Sequence, residues 1–154
     1  MGHSFVLGLL FGLLIAGAAM ITPRPYGQSS RQTITIADDS GGIIANYIAK
    51  YQVYRAADSH LIIDRYCASS CTLFIGIIER GNVCVTRRAV LGFHGAWGWT
   101  IFGHEELPES TKVMLRYYND PVRAWIKQHG GIHTSRVMRL MKYPETAQYF
   151  RICR

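Results

Sequence analysis

Leu61-Ile62-Ile63-Asp64-Arg65-Tyr66-Cys67-Ala68-Ser69-Ser70-Cys71-Thr72 is the stretch on which the fold turns. Leu61-Ile62-Ile63-Asp64 reads as a strand, and Ser69 to Gly76 as a short buried helix, so the chain passes from strand to helix at a serine. Upstream, Thr33-Ile34-Thr35-Ile36-Ala37 alternates with β-branched residues and reads as another strand, followed by a turn at Asp38 to Gly42. Ile43 to Ala57 then sets Ile44, Tyr47, Ile48, Tyr51 and Tyr54 at steps of three and four, the spacing of an amphipathic helix whose tyrosine stripe packs inward. Downstream, Asn82 to Thr86 and Val90 to His94 read as two strands about a turn at Arg87-Arg88. From Glu109 the chain reads as helical: Thr111 to Tyr118, Pro121 to Gln128, a stop at Gly130-Gly131, then Ser135 to Lys142. Strand, helix, strand, helix, strand predicts an α/β fold, a parallel β-sheet with flanking helices in one small domain.

Three segments end predicted strands, and in parallel α/β sheets such ends share one rim. Ser40-Gly41-Gly42 follows the first strand, Cys67-Ala68-Ser69-Ser70 the second, and Gly92-Phe93-His94 closes a third. Taken singly, each has an ordinary explanation: a turn before a helix, a serine capping a helix, a structural histidine. Taken together they are the parts of a serine acyl-transfer site. Ser69 is the candidate nucleophile and His94 the candidate general base. The backbone N–H groups of Gly42, Ile43 and Ser70 are the candidate oxyanion hole. His60, His104, His129 and His133 have no comparable setting.

Of 154 residues, 49% are hydrophobic and 18% charged, which fits one modest domain plus a targeting segment. Phe5 to Ile21 is apolar and uncharged, with small residues at Ala16-Gly17-Ala18-Ala19. Residues 1–22 therefore read as a cleavable signal peptide or, if uncleaved, a membrane anchor through residues 5–21. Residues 23–31 read as a linker and 32–154 as the folded domain. Four cysteines (Cys67, Cys71, Cys84, Cys153) behind such a segment predict up to two disulfides in a periplasmic or secreted protein. Three pairings are open, among them Cys71 with Cys84 and Cys67 with Cys153; a metal site at Cys67 and Cys71, or plain buried thiols, are the alternatives. The net charge of +7 comes with no Lys/Arg run longer than two and no nucleic-acid motif, so it reads as a solvated basic surface.

These segments resemble a known family. Asp39-Ser40-Gly41-Gly42-Ile43 resembles the Ser-Pro-Gly-Gly turn of the Clp protease proteolytic subunit, in the crotonase-like superfamily. Cys67-Ala68-Ser69-Ser70 resembles its Ala-Ala-Ser nucleophile segment, and Leu91-Gly92-Phe93-His94 the strand that ends in its catalytic histidine. Ser69 and His94 stand 25 residues apart, the family's spacing. The likeness spans about Ile34 to Gly131, and the Cys-x-Ser-x-Cys-Thr pattern resembles the small exported Clp-like proteins of bacteria. It implies a crotonase-like fold, a peptide or protein substrate, no cofactor and a homo-oligomer. Two departures stand out. Ser40 replaces the turn's proline, and the family's third catalytic residue, an aspartate expected near residue 143, has only Glu145 close by, with Asp120 as the other candidate. The expected function is a serine peptidase-like hydrolase of the cell envelope; the alternatives are a catalytically decayed binding module and a surface protein acting through its basic face.

Overall fold

β2 (His60–Ala68) is the strand around which the sheet is built, with Leu61, Ile63, Cys67 and Ala68 fully buried along it. In this computed structural model, which describes residues 31–154, β1 (Thr33–Asp39) lies parallel to β2 on one side. The expected signal or anchor (1–22) and the linker as far as residue 30 lie outside the described residues. On the other side β3 (Val83–Val85) pairs with the first half of β2 and β4 (Val90–Phe93) with its second half, both parallel. β7 (Arg139–Lys142) closes the far edge, antiparallel to β4. This is the expected α/β architecture, a mostly parallel sheet with helices beside it.

α1 (Ile44–Ala56) connects β1 to β2 and buries Tyr51, the middle of the tyrosine stripe, edge-on against Phe74 of the short α2 (Phe74–Ile77). α3 (Pro108–Tyr117) and α4 (Asp120–Gln128) cover β4, where Phe93 meets the rings of Tyr118 and Trp125. Asn119 caps α4, its side-chain oxygen accepting from the Val122 N–H. Among the described residues, no helix is long and apolar enough to cross a membrane.

The structure corrects the sequence reading in three places. Ser135 to Lys142 is not a helix: it is a turn followed by β7, with Met141 buried and Arg139 and Lys142 on either side of it. Met, Arg, Leu and Lys are good helix formers, but the free edge of β4 needs a partner for its backbone groups, and that need outweighs a weak propensity. The stretch between His94 and Glu109 forms a hairpin, β5 (Trp97–Thr100) with β6 (Gly103–Glu106), that periodicity had not marked. The disulfides are Cys67–Cys71 and Cys84–Cys153, not Cys71–Cys84 and Cys67–Cys153. Cys71 lies one tight turn beyond Cys67, with Cα atoms 5.5 Å apart. Cys153 is brought to β3 by the Val85–Ile152 bridge. All four sulfurs are thereby used, which removes the metal-ligand and free-thiol alternatives. Two disulfides fit an oxidising compartment.

Candidate active site

β1 and β2 both break step just before the site. Asp38 and Arg65 take left-handed conformations (φ +53° and +56°), their side chains form an ion pair at 2.7 Å, and the register shifts between Ala37 and Asp39. The bulge sets Asp39 opposite Cys67, so that the glycine turn after β1 comes to lie against the segment after β2. The contact is close. Gly41 has φ +85°, and a Cβ there would fall 2.6 Å from the Ala68 carbonyl oxygen and 2.8 Å from Ser69 Cβ, so only glycine fits.

Asp39 holds that turn. Its carboxylate accepts from the Gly41 N–H (2.9 Å) and the Tyr47 hydroxyl (2.5 Å), with Lys50 Nζ at 3.4 Å. Partial burial raises the pKa of this carboxyl, but the Tyr47 hydroxyl, the Gly41 N–H and Lys50 together hold it below the usual carboxylate range. At the next residue the Gly42 N–H donates to Ser70 Oγ (2.7 Å), whose hydroxyl donates back to the Gly42 carbonyl (2.9 Å).

Ser69 opens a 3₁₀ turn (Ser69–Leu73) and does not cap it; the cap position is Ala68. Its φ is +57°, a left-handed conformation that costs a non-glycine residue roughly 1–2 kcal/mol. The neighbours impose it. Cys67 and Cys71 are bonded across it, Ser70 is tied to Gly42, and Thr72 donates to the Ser69 carbonyl (2.6 Å). The Tyr51 hydroxyl donates to the Cys71 carbonyl (2.7 Å), and the Tyr118 hydroxyl meets Thr72 Oγ1 at 2.8 Å. Burial pushes the pKa of both phenols above their ordinary range, which keeps the hydroxyls protonated for these bonds. The side chain left out of this network is that of Ser69, and it lines a cavity.

His94 follows β4 and is 7% exposed. Its Nδ1 lies 2.7 Å from the Gly95 carbonyl oxygen. A carbonyl can only accept, so Nδ1 donates to it, and Nε2 has no hydrogen-bond partner among the described residues. The carboxylates expected behind the histidine are engaged elsewhere. Glu145 accepts from the Trp125 indole (2.5 Å) and faces His129 at 3.8 Å, and Asp120 pairs with Arg123 on its own helix. Neither Glu145 nor Asp120 is hydrogen-bonded to His94; a backbone carbonyl orients the ring instead.

The cavity measures about 860 Å³ and brings Ser69 and His94 together with Gly41, Gly42 and Ile43. Trp97, Trp99 and Met114 are part of its apolar wall, and among the described residues His94 is the one ionisable side chain that lines it. Sequence reading missed the tryptophans. The signal was there in Trp97-Gly98-Trp99, aromatic residues at a period of two, which suits a strand. A second cavity of about 810 Å³, lined by α3, α4 and the segment from Gly130 to His133, has Lys112, Arg123, Lys127 and His133 in its wall but neither serine nor cysteine.

No family model matches the chain, and no curated protein matches it. Among solved structures it is similar to the ClpP1 N165D mutant from Listeria monocytogenes. The identity is 14%, over 78% of this chain and 71% of that one, with a TM-score of 0.45. What the site can do therefore rests on its own geometry. Among the described residues, the Ser69 hydroxyl and His94 Nε2 have no hydrogen-bond partner, and the cavity they line has an apolar wall. Ile43 caps α1 and Ser70 lies in the first turn of its 3₁₀ helix, positions whose N–H groups have no acceptor within their own helix.

Proposed function

We propose that this protein is a serine acyl-transfer hydrolase of the cell envelope, acting on extended peptides. The observation that carries the proposal is Ser69: a left-handed serine whose neighbours are all tied down, in one cavity with His94. In the reaction, His94 Nε2 takes the Ser69 proton as Oγ attacks the substrate carbonyl. The Ile43 and Ser70 amides then stabilise the oxyanion. His94 returns the proton to the leaving amine, and water cleaves the acyl-enzyme by the same steps. Gly42, expected to share the oxyanion hole, has its amide on Ser70 and acts by shaping the turn. The resemblance to the Clp-like family favours a peptide over other acyl groups and a homo-oligomer over a monomer. The disulfides and the apolar segment at residues 5–21 favour the periplasm, with release or inner-membrane anchoring after export.

Fluorophosphonate labelling of the oxidised protein tests this. Labelling is expected in the wild type and absent from Ser69→Ala and from His94→Ala. A folded wild type that does not label overturns the proposal. The missing acid behind His94 favours a second reading, a binding module that keeps the groove without efficient chemistry. Under that reading a peptide binds equally well to the wild type and Ser69→Ala, and neither labels.

A further inference from the structure

The hairpin that walls the cavity breaks the rule for exposed turns. β5 and β6 are joined by Ile101-Phe102, where tight hairpins take Asn, Gly or Asp. Ile101 is 94% exposed and Phe102 92%, with Trp99 at 74% and Trp97 at 43% behind them. From Ala96 to Gly103 the chain carries no charged residue. A cluster of large apolar side chains held out in water marks a surface that is covered in use.

The shape of the cluster bears on what covers it. The tip is exposed on all sides, a finger and not a face. Aromatic side chains bury roughly 150–250 Å² each; Ile101 is smaller and Trp97 is already more than half covered, so the four together supply on the order of 600 Å². That falls short of the roughly 800 Å² per partner that a stable protein interface needs. A fluid apolar phase sets no such requirement.

Spacing gives the second argument. At about 3.3 Å per strand residue, Trp99 lies roughly 7 Å and Trp97 roughly 13 Å behind the tip. Entry of the tip by about 5–10 Å brings both indoles to the headgroup level, which tryptophan prefers. Charge gives the third. The chain carries +7 overall, which favours an anionic lipid surface, while β6 itself carries the carboxylates of Glu105 and Glu106. At the base of the finger, Glu106 accepts from the Thr134 hydroxyl and from the Ser135 N–H and hydroxyl, beside the exposed Arg136. His104 stacks on Trp97 with centroids 5.0 Å apart and bonds to Ser135 Oγ (2.9 Å), which braces the hairpin against the domain.

We infer that the β5–β6 hairpin is a membrane-docking finger that seats the mouth of the cavity on an anionic lipid surface. The inference does not depend on whether Ser69 is a nucleophile. Trp97 and Trp99 belong to both the finger and the cavity wall, so a substrate reaching the cavity passes along the lipid interface.

The three tryptophans of the chain supply the test, since two stand on the hairpin and Trp125 is buried in the core. The full oxidised chain is mixed with phosphatidylglycerol-containing vesicles whose acyl chains are brominated. No tryptophan lies in residues 5–21, so quenching reports the hairpin even where that segment also enters the bilayer. Expected is a loss of tryptophan emission that disappears in Trp97→Phe/Trp99→Phe and in Ile101→Ser/Phe102→Ser, with the thermal transition of the latter unchanged. Emission indifferent to brominated lipid overturns the inference, as does quenching that survives Ile101→Ser/Phe102→Ser. So does a tip variant that lowers the mass measured by light scattering while the wild type shows no quenching, because the cover is then a second copy of the chain.

Discussion

Ser69 sits where a glycine would rest more easily, and the proposed nucleophilic role gives a serine there a reason that stability does not. The left-handed backbone predicts that Ser69→Gly is more stable than Ser69→Ala by about 1 kcal/mol in urea unfolding, with both inert to fluorophosphonate. Equal stabilities would mean that the φ of +57° is not held in solution. Glu145 gives the complementary residue-scale expectation. Glu145→Ala leaves the Trp125 indole without its acceptor and costs about 1–3 kcal/mol, yet the labelling rate stays near that of the wild type. A true triad acid would take about 10⁴-fold of the rate with it, so the two roles separate cleanly.

At the scale of elements, the site depends on one junction, where β2 passes into the 3₁₀ turn. The Cys67–Cys71 disulfide closes a loop too short to contribute much chain entropy, about 2 kcal/mol. Its larger effect is to hold the residues on either side of Ser69 together. Cys67→Ala/Cys71→Ala is expected to lose labelling by on the order of 10²-fold, the cost of a small misplacement of a reacting group. Its melting temperature falls only modestly, because Cys84–Cys153 remains. Labelling that follows the melting temperature alone would make the bond a plain staple. The hairpin is the other element that matters: it carries Trp97 and Trp99 into the cavity wall and leaves its tip in water.

Over the whole molecule, the C-terminal segment is brought back onto the middle of the chain. Cys153 bonds to Cys84 across 69 residues, and Phe150 packs on Phe74, which in turn meets Tyr51 of α1. A loop of that length contributes about 4 kcal/mol, so Cys84→Ala/Cys153→Ala is expected to lose about that much in urea unfolding. A loss below about 1 kcal/mol would mean that the C-terminal segment docks by packing alone.

Much of this was legible in the sequence because the signals are local. Alternation in Thr33 to Ala37, three-and-four spacing in Ile44 to Tyr54 and the order of the glycine turn, Ser69 and His94 need only nearby residues to be read. Those features determined the α/β class, the order of its parts and the candidate nucleophile and base. Only the tertiary structure decided the rest. Which cysteines meet, what occupies the edge of β4, that Gly42's amide goes to Ser70 and that a carbonyl stands behind His94 in place of Glu145 all depend on residues far apart in the chain. Helix propensity in Ser135 to Lys142 is worth a few tenths of a kcal/mol per residue, less than an unpaired buried backbone costs, so the open sheet edge prevailed. A local pattern can name the groups that chemistry requires, but the partners of those groups are set by which surfaces the folded chain must satisfy.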